Sequence, residues 1–192
     1  MAEGGYLALN MRDLARRAGV SPGTLYSYFA TKEEIFATLY AEAIVAHNAR
    51  LAPICEGAVA LEPFLVDLIT AYLDLYQGYG RYFTMWTALG ADRAAGDPPA
   101  DAALPRDLAV ALRAATFEQG ELTLSTVRRV AGRARGGARL VDQPEVITFV
   151  WTMLNGIADH VTSDRHLLSP FTADELIAFA ARTLAAGLLT PA

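Results

Sequence analysis

The chain has 192 residues, which suffices for one or two domains with a substantial core. Hydrophobic residues make up 53% and charged residues only 19%, so we expect apolar surface to be buried beyond the core of one subunit. The net charge of −5 argues against a general nucleic-acid coat, although residues 1–34 are neutral and leave room for a local contact. Charges interrupt every long apolar stretch and no signal peptide stands out, so we expect a cytoplasmic protein without a membrane span.

Glycines and prolines separate stretches of helical period, and no alternating strand pattern stands out, which predicts an all-α fold. The predicted helices lie near residues 11–18, 21–29, 32–52, 61–77, 80–89, 106–135, 144–162 and 172–188. Pro53 predicts the end of the third helix. Thr172 and Glu175 predict a capping box at the start of the last. We predict two domains, a small one at 1–38 and a larger helical one at 39–192.

The first predicted helix has one buried face, formed by Met11, Leu14, Ala15 and Ala18 at positions i, i+3, i+4 and i+7. Gly19 follows directly, where a tight turn between two helices requires positive φ. Small and apolar residues at these spacings are typical of a helix-turn-helix.

Ser21 is the predicted N-cap of the second helix, because its hydroxyl can accept a hydrogen bond from a backbone N–H of the first turn. The proline that follows is tolerated at the first helical position. Leu25, Tyr28 and Phe29 lie at i, i+3 and i+4, so we expect them to pack inward. The exposed face then carries small, hydroxylated and aromatic side chains, namely Pro22, Gly23, Thr24, Tyr26 and Ser27. A polyanionic surface can approach such a face closely, which predicts DNA binding.

The whole motif also resembles a known family. The TetR family of bacterial transcriptional regulators has a DNA-binding motif similar to MRDLARRAGVSPGTLYSYFATKEEIFATL, at about residues 10–40. The resemblance implies an all-α regulator with an N-terminal helix-turn-helix, followed by a helical domain for effector binding and dimerisation. It implies DNA contacts by Asn10, Arg12, Ser21, Pro22, Gly23, Thr24, Tyr26, Ser27, Tyr28 and Lys32. Among these, Tyr28 and Lys32 reach the DNA backbone.

The amino terminus departs from the family pattern. Family members carry a further helix that packs across the motif, and only its usual ending is matched here, by residues 2–6. We expect that helix to be missing and the DNA-binding domain to be incomplete, which leaves Leu14, Leu25 and Phe29 without a covering partner. The alternative function is therefore a small-molecule-binding helical protein that no longer binds DNA.

An aromatic cluster marks the larger domain at residues 72–86, and it is either simply core or the wall of a pocket for an apolar or aromatic effector. The effector-binding candidates are Tyr72, Tyr76, Tyr82, Phe83, Trp86, Phe117, Trp151 and Asn155.

The last two helices are apolar on more than one side, which predicts a homodimer through residues about 144–188. The family resemblance implies the same dimer, which spans two half-sites of a palindromic double-stranded operator about 34 Å apart.

The remaining polar groups carry no defined chemistry. We interpret five arginines as a solvated face: Arg128, Arg129, Arg133, Arg135 and Arg139. Neither the histidines nor the single cysteine has metal-ligand spacing, and no nucleophilic or acid–base arrangement stands out, so we expect no metal site, no cofactor and no enzymatic activity. The sequence predicts a ligand-responsive transcriptional regulator, most simply a repressor.

Overall fold

The computed structural model of the protein describes residues 10–91, 104–133 and 144–189. It describes the backbone alone at residues 80–91, 144, 147, 164 and 165. These ranges contain seven α-helices and no strand, so the all-α prediction is confirmed. The helices are α1 (Met11–Ala18), α2 (Pro22–Tyr28), α3 (Lys32–Gly57), α4 (Leu61–Ala91), α5 (Arg106–Ala131), α6 (Pro144–Thr162) and α7 (Ala173–Leu189). None of the described helices has the length and apolar character needed to cross a membrane.

The chain packs as two compact units. Unit 1 comprises residues 1–43 and 82–114, and unit 2 comprises residues 44–81 and 115–192. This division follows packing and does not test the domain boundary predicted after residue 38, which stays a prediction. The expected absence of a first helix concerns the segment ahead of Asn10, which lies outside the described residues.

One predicted break is absent from α4. The segments predicted as helices 61–77 and 80–89 form a single helix instead. A helical glycine such as Gly78 costs only about 1 kcal/mol relative to alanine, which is too little to end a helix whose other residues bury an apolar face.

The predicted end of α3 at Pro53 is also wrong, because the helix continues to Gly57. The end of α3 has a partner on α5. The Arg129 guanidinium donates to the carbonyl oxygen of Cys55 in the last turn and, at 2.9 Å, to that of Ala58 directly after the helix. A cation is favourable at the carboxyl end of a helix. The interpretation of Arg129 as part of a solvated face is therefore wrong, since its guanidinium caps α3.

The two helices of the helix-turn-helix in unit 1 meet at Gly19. Its φ of 71° and ψ of 24° confirm the predicted left-handed conformation. The Val20 N–H then donates to Ala15 O at 3.0 Å and closes α1. Of the predicted buried face, Met11 and Ala15 are buried and Leu14 is half-buried. The prediction is wrong for Ala18, which is exposed at the last residue of α1.

The core of unit 2 joins α3, α4 and α5. Its largest fully buried side chains are Phe64, Ile44, Leu51, Leu65, Ile69 and His47. Asn48 on α3 donates to Ala115 O at 2.8 Å and to the Glu118 carboxylate at 3.1 Å, both on α5. Cys55 lies two helical turns after Asn48 on α3, and its thiol donates to Leu122 O at 3.5 Å. These bonds fix which face of α5 is turned towards α3.

We predict that Gly19→Ala lowers the free energy of unfolding by about 1–2 kcal/mol, because a Cβ is strained at positive φ. No atom lies within 4 Å of the added Cβ, so the cost comes from the backbone alone. The matched control is Gly23→Ala, whose Cβ meets only Ser21 Oγ at an ordinary 3.8 Å and which favours the helix by about 0.5–1 kcal/mol. Denaturant unfolding measures both, and an equal change in the two variants contradicts the account.

His47 is the buried titratable group of unit 2. It is fully buried on α3, and neither ring nitrogen has a hydrogen-bond partner among the described residues. Burial lowers the pKa of His47 below its ordinary 6.5, and Arg50 lowers it further, whereas Asp74 on α4 acts in the opposite direction. As the pH falls, the unfolded chain therefore protonates this imidazole at a pH at which the folded protein still holds it neutral.

We predict that unit 2 loses stability as the pH falls below 6.5, because the unfolded state then binds the additional proton. The His47→Leu variant removes that proton uptake and has a shallower dependence. Denaturant unfolding at a series of pH values measures the slope. Identical slopes for wild type and His47→Leu contradict the prediction.

Candidate nucleic-acid interface and ligand cavity

Asn10 caps the start of α1. Its Oδ1 accepts from the Asp13 N–H at 2.9 Å and its Nδ2 donates to the Asp13 carboxylate at 2.7 Å. Arg16 reaches the same carboxylate at 2.7 Å. Arg12 is exposed, so this end of α1 presents a guanidinium to solvent. The arrangement fixes the helix start and leaves cationic groups beside it.

Ser21 organises the start of α2 as predicted. Its Oγ accepts from the Thr24 N–H at 3.0 Å and lies 2.9 Å from Thr24 Oγ1. Pro22 occupies the first turn, and the Ser27 hydroxyl donates to Thr24 O at 2.7 Å. None of the residues of α2 is buried, so its small and hydroxylated side chains form an open surface.

Two tyrosines extend this surface. Tyr26 is 54% exposed and Tyr28 is 74% exposed. The expectation that Tyr28 packs inward is wrong: it is the last residue of a short helix, and Leu25 and Phe29 are the half-buried residues instead. Its exposure agrees with the backbone contact that the family resemblance implies.

The remaining predicted contacts lie within α2 and just after it. Gly23 is exposed in its first turn, and Lys32 is half-buried at the first residue of α3. All ten predicted DNA contacts therefore belong to unit 1. Hydroxyl, aromatic and cationic groups of this kind supply both phosphate contacts and base contacts in the major groove.

Unit 2 contains a cavity of about 240 Å³ between parts of α4, α5, α6 and α7. Its wall is almost entirely apolar, with a few uncharged polar side chains. The lining residues are Leu65, Leu68, Tyr72, Thr116, Gln119, Gly120, Thr123, Leu124, Val127, Val146, Val150, Trp151, Leu154 and Leu188. Apolar walls with few polar groups are typical of small-molecule sites.

Tyr72 and Trp151 form the aromatic part of this wall. Their ring centroids are 5.6 Å apart in an edge-to-face arrangement. The Tyr72 hydroxyl donates to Asn155 Oδ1 at 2.9 Å, and Asn155 Nδ2 donates to Trp151 O at 2.8 Å. These bonds orient the Asn155 amide, and this amide in turn holds the Tyr72 ring in place.

The structure brings together some of the predicted effector contacts. Tyr72 and Trp151 line the cavity; Asn155 bonds to Tyr72, and Tyr76 packs on Tyr72 with ring centroids 6.1 Å apart. Phe117 does not line the cavity and is 70% exposed, since it lies on another face of α5. Three further candidates have side chains outside the described residues, namely Tyr82, Phe83 and Trp86.

Sequence reasoning missed three polar residues in the wall, Thr116, Gln119 and Thr123 on α5. They follow one another at spacings of three and four residues and so share a helix face. That spacing is visible in the sequence, but only the packing of α5 against α3 shows which of its faces is turned to the cavity.

An open groove of about 600 Å³ lies between α6 and α7. It is lined mainly by apolar side chains, and two large ones stand out because Phe149 is 62% exposed and Phe179 is 59% exposed. Val146 and Leu188 line both this groove and the cavity. The two features therefore share a wall.

Residues 1–39 match the family profile described as bacterial regulatory proteins, tetR family. A comparison with curated protein sequences gives no match. Among solved structures, the chain is similar to the fatty acid degradation regulator FadR from Bacillus halodurans, with a TM-score of 0.64 and 16% identity over 97% of this chain and 89% of that one.

Two further solved structures are similar. FadR from Bacillus subtilis, solved in complex with stearoyl-CoA, has a TM-score of 0.64 and 16% identity over 97% of this chain and 92% of that one. The TetR family transcriptional regulator PfmR from Thermus thermophilus has a TM-score of 0.62 and 22% identity over the same shares. Residues 1–39 thus match the profile of the tetR family of bacterial regulatory proteins, and the chain shares its fold with the solved regulators FadR and PfmR.

Proposed function

We propose that the protein is a ligand-responsive repressor, released from a palindromic operator when a small apolar or aromatic molecule enters the cavity of unit 2. The observation that carries the DNA-binding part is the open face of α2, where no side chain is buried and Tyr26 is 54% exposed. The family profile over residues 1–39 supports the same assignment.

The proposed effector site is the 240 Å³ cavity. Its volume lies just below the roughly 300–1,000 Å³ of pockets for drug-sized ligands, which favours a compact molecule. FadR from Bacillus subtilis was solved with stearoyl-CoA. We propose that this chain also binds a ligand, in the cavity of unit 2, and that the side chains lining this cavity determine the chemistry of the ligand.

The proposed dimer uses the groove between α6 and α7, which a second copy of the chain covers. Its exposed Phe149 and Phe179 are large apolar side chains of the kind that subunit interfaces bury. Two helices from each copy form a four-helix bundle around a twofold axis. The excess of hydrophobic residues in the composition supports this interface.

Coupling between effector and operator follows from the wall that the cavity and the groove share. A ligand that contacts Val146 or Leu188 acts on residues of the proposed subunit interface, and so favours one arrangement of the two subunits. The spacing between the α2 helices of the two subunits then changes, and operator affinity falls. α3 gives a covalent connection, because it begins directly after the helix-turn-helix and carries Asn48 and Cys55, which bond to α5.

We predict that Tyr26→Ala lowers specific operator affinity by about 1–3 kcal/mol, because it removes a base contact, without weakening the dimer. Fluorescence anisotropy with DNA from upstream of the gene and with random DNA measures both affinities. Tyr28→Ala is the matched comparison, because loss of a DNA-backbone contact lowers the affinity for both DNAs by the same factor. Unchanged operator affinity in Tyr26→Ala contradicts the assignment. Wild-type protein that binds a small molecule but neither DNA favours the alternative, a small-molecule-binding protein without DNA function.

We predict that Phe179→Glu converts the dimer to monomers, because burying an unpaired carboxylate in an apolar interface costs several kcal/mol. Sedimentation velocity measures the mass in solution. Phe117→Glu places the same charge on an exposed aromatic of α5 and leaves the dimer intact. If Phe117→Glu separates the subunits while Phe179→Glu does not, the groove between α6 and α7 is not the interface.

A further inference from the structure

The cavity of unit 2 has a polar stripe on α5. Gln119 is only 6% exposed and lines the cavity, and Thr123 lines it one turn further along. None of the described residues forms a hydrogen bond with the Gln119 amide or with the Thr123 hydroxyl. A glutamine amide offers two donor hydrogens and an acceptor oxygen, and buried groups of this kind are nearly always hydrogen-bonded.

The other polar groups near the cavity already have partners inside the protein. The Tyr72 hydroxyl donates its proton to Asn155, and the Asn155 amide donates in turn to Trp151 O. Thr116 also interacts within the protein. Gln119 is thus the buried wall residue whose hydrogen-bonding capacity is left for a bound molecule.

The charge of the wall restricts the ligand further. None of the described residues that line the cavity has a charged side chain. A carboxylate or ammonium group of a ligand finds no counter-charge among them, and such burial is costly. The edge-to-face rings of Tyr72 and Trp151 provide an aromatic surface for a ring system.

We propose that the cavity takes a neutral molecule with an apolar, ring-containing body and one uncharged hydrogen-bonding group, which the Gln119 amide holds with the Thr123 hydroxyl beside it. The proposal rests on the cavity being the effector site and adds to it the class of ligand and the residue that selects it. Gln119 was not among the effector contacts expected from the sequence.

Isothermal titration calorimetry with three probes tests this selection on the full chain. Naphthalene, naphthol and naphthoate share one apolar body and differ in having no polar group, a neutral one and a charged one. We expect wild-type protein to bind naphthol most tightly and naphthoate most weakly. Gln119→Met, which keeps the length of the side chain and removes its amide, weakens naphthol binding about tenfold and leaves naphthalene binding unchanged.

Gln77→Met is the matched control, because it makes the same substitution at an exposed position of α4 and leaves all three affinities unchanged. Gln119→Leu is a second variant that answers the same question if the methionine variant misfolds.

Equal loss of naphthol and naphthalene binding contradicts a specific role for Gln119, and naphthoate binding as tight as naphthol binding contradicts the proposal that the ligand is neutral. Either result leaves the effector cavity standing, whereas no binding of any probe contradicts the cavity as a ligand site and this proposal with it. The measurement uses no DNA, so it is independent of operator binding.

Discussion

The attachment of α5 to α3 is the constraint on which the architecture of unit 2 depends. Ala115 and Leu122 accept hydrogen bonds from α3, and Arg129 donates back to the end of that helix. These positions recur every seven residues, so they lie along one face of α5. Gln119 and Thr123 form a neighbouring stripe beside the first, because Gln119 follows Ala115 by four residues and precedes Leu122 by three. Fixing one face of α5 therefore decides which of its side chains reach the cavity.

The same constraint connects local stability to the proposed regulation. Buried polar groups are costly unless they are paired, and in unit 2 the Asn48 amide NH2, the Cys55 thiol and the Tyr72 hydroxyl are paired between helices. His47 and Gln119 are different, since His47 is held neutral inside the core and Gln119 faces a space that a ligand can fill. Val146 and Leu188 then relate that space to the exposed groove of α6 and α7. A ligand thereby acts on the same helices that we propose to join the subunits.

Features set by neighbouring residues could be predicted from the sequence. The turn at Gly19, the Ser21 cap and the capping box of Thr172 and Glu175 all occur as predicted, because each depends on a few adjacent positions. Features set by distant contacts could not. The cap that Arg129 provides for α3 joins residues more than seventy positions apart. The position of Gln119 in the cavity wall can be assigned only when the face of α5 that is turned to the cavity is known. Aromatic composition pointed to Tyr72 and Trp151 but also to Phe117, whose helix face cannot be assigned without the fold.

Specific DNA recognition by the intact chain is the central claim of this account, and its salt dependence is the most direct test. Fluorescence anisotropy of a labelled fragment from upstream of the gene, titrated at several salt concentrations beside random DNA of equal length, separates phosphate contacts from base contacts. We predict tighter binding to the upstream fragment at every salt concentration and a steep fall in both affinities as salt increases. Equal affinity for the two DNAs, or no binding at low salt, contradicts the claim.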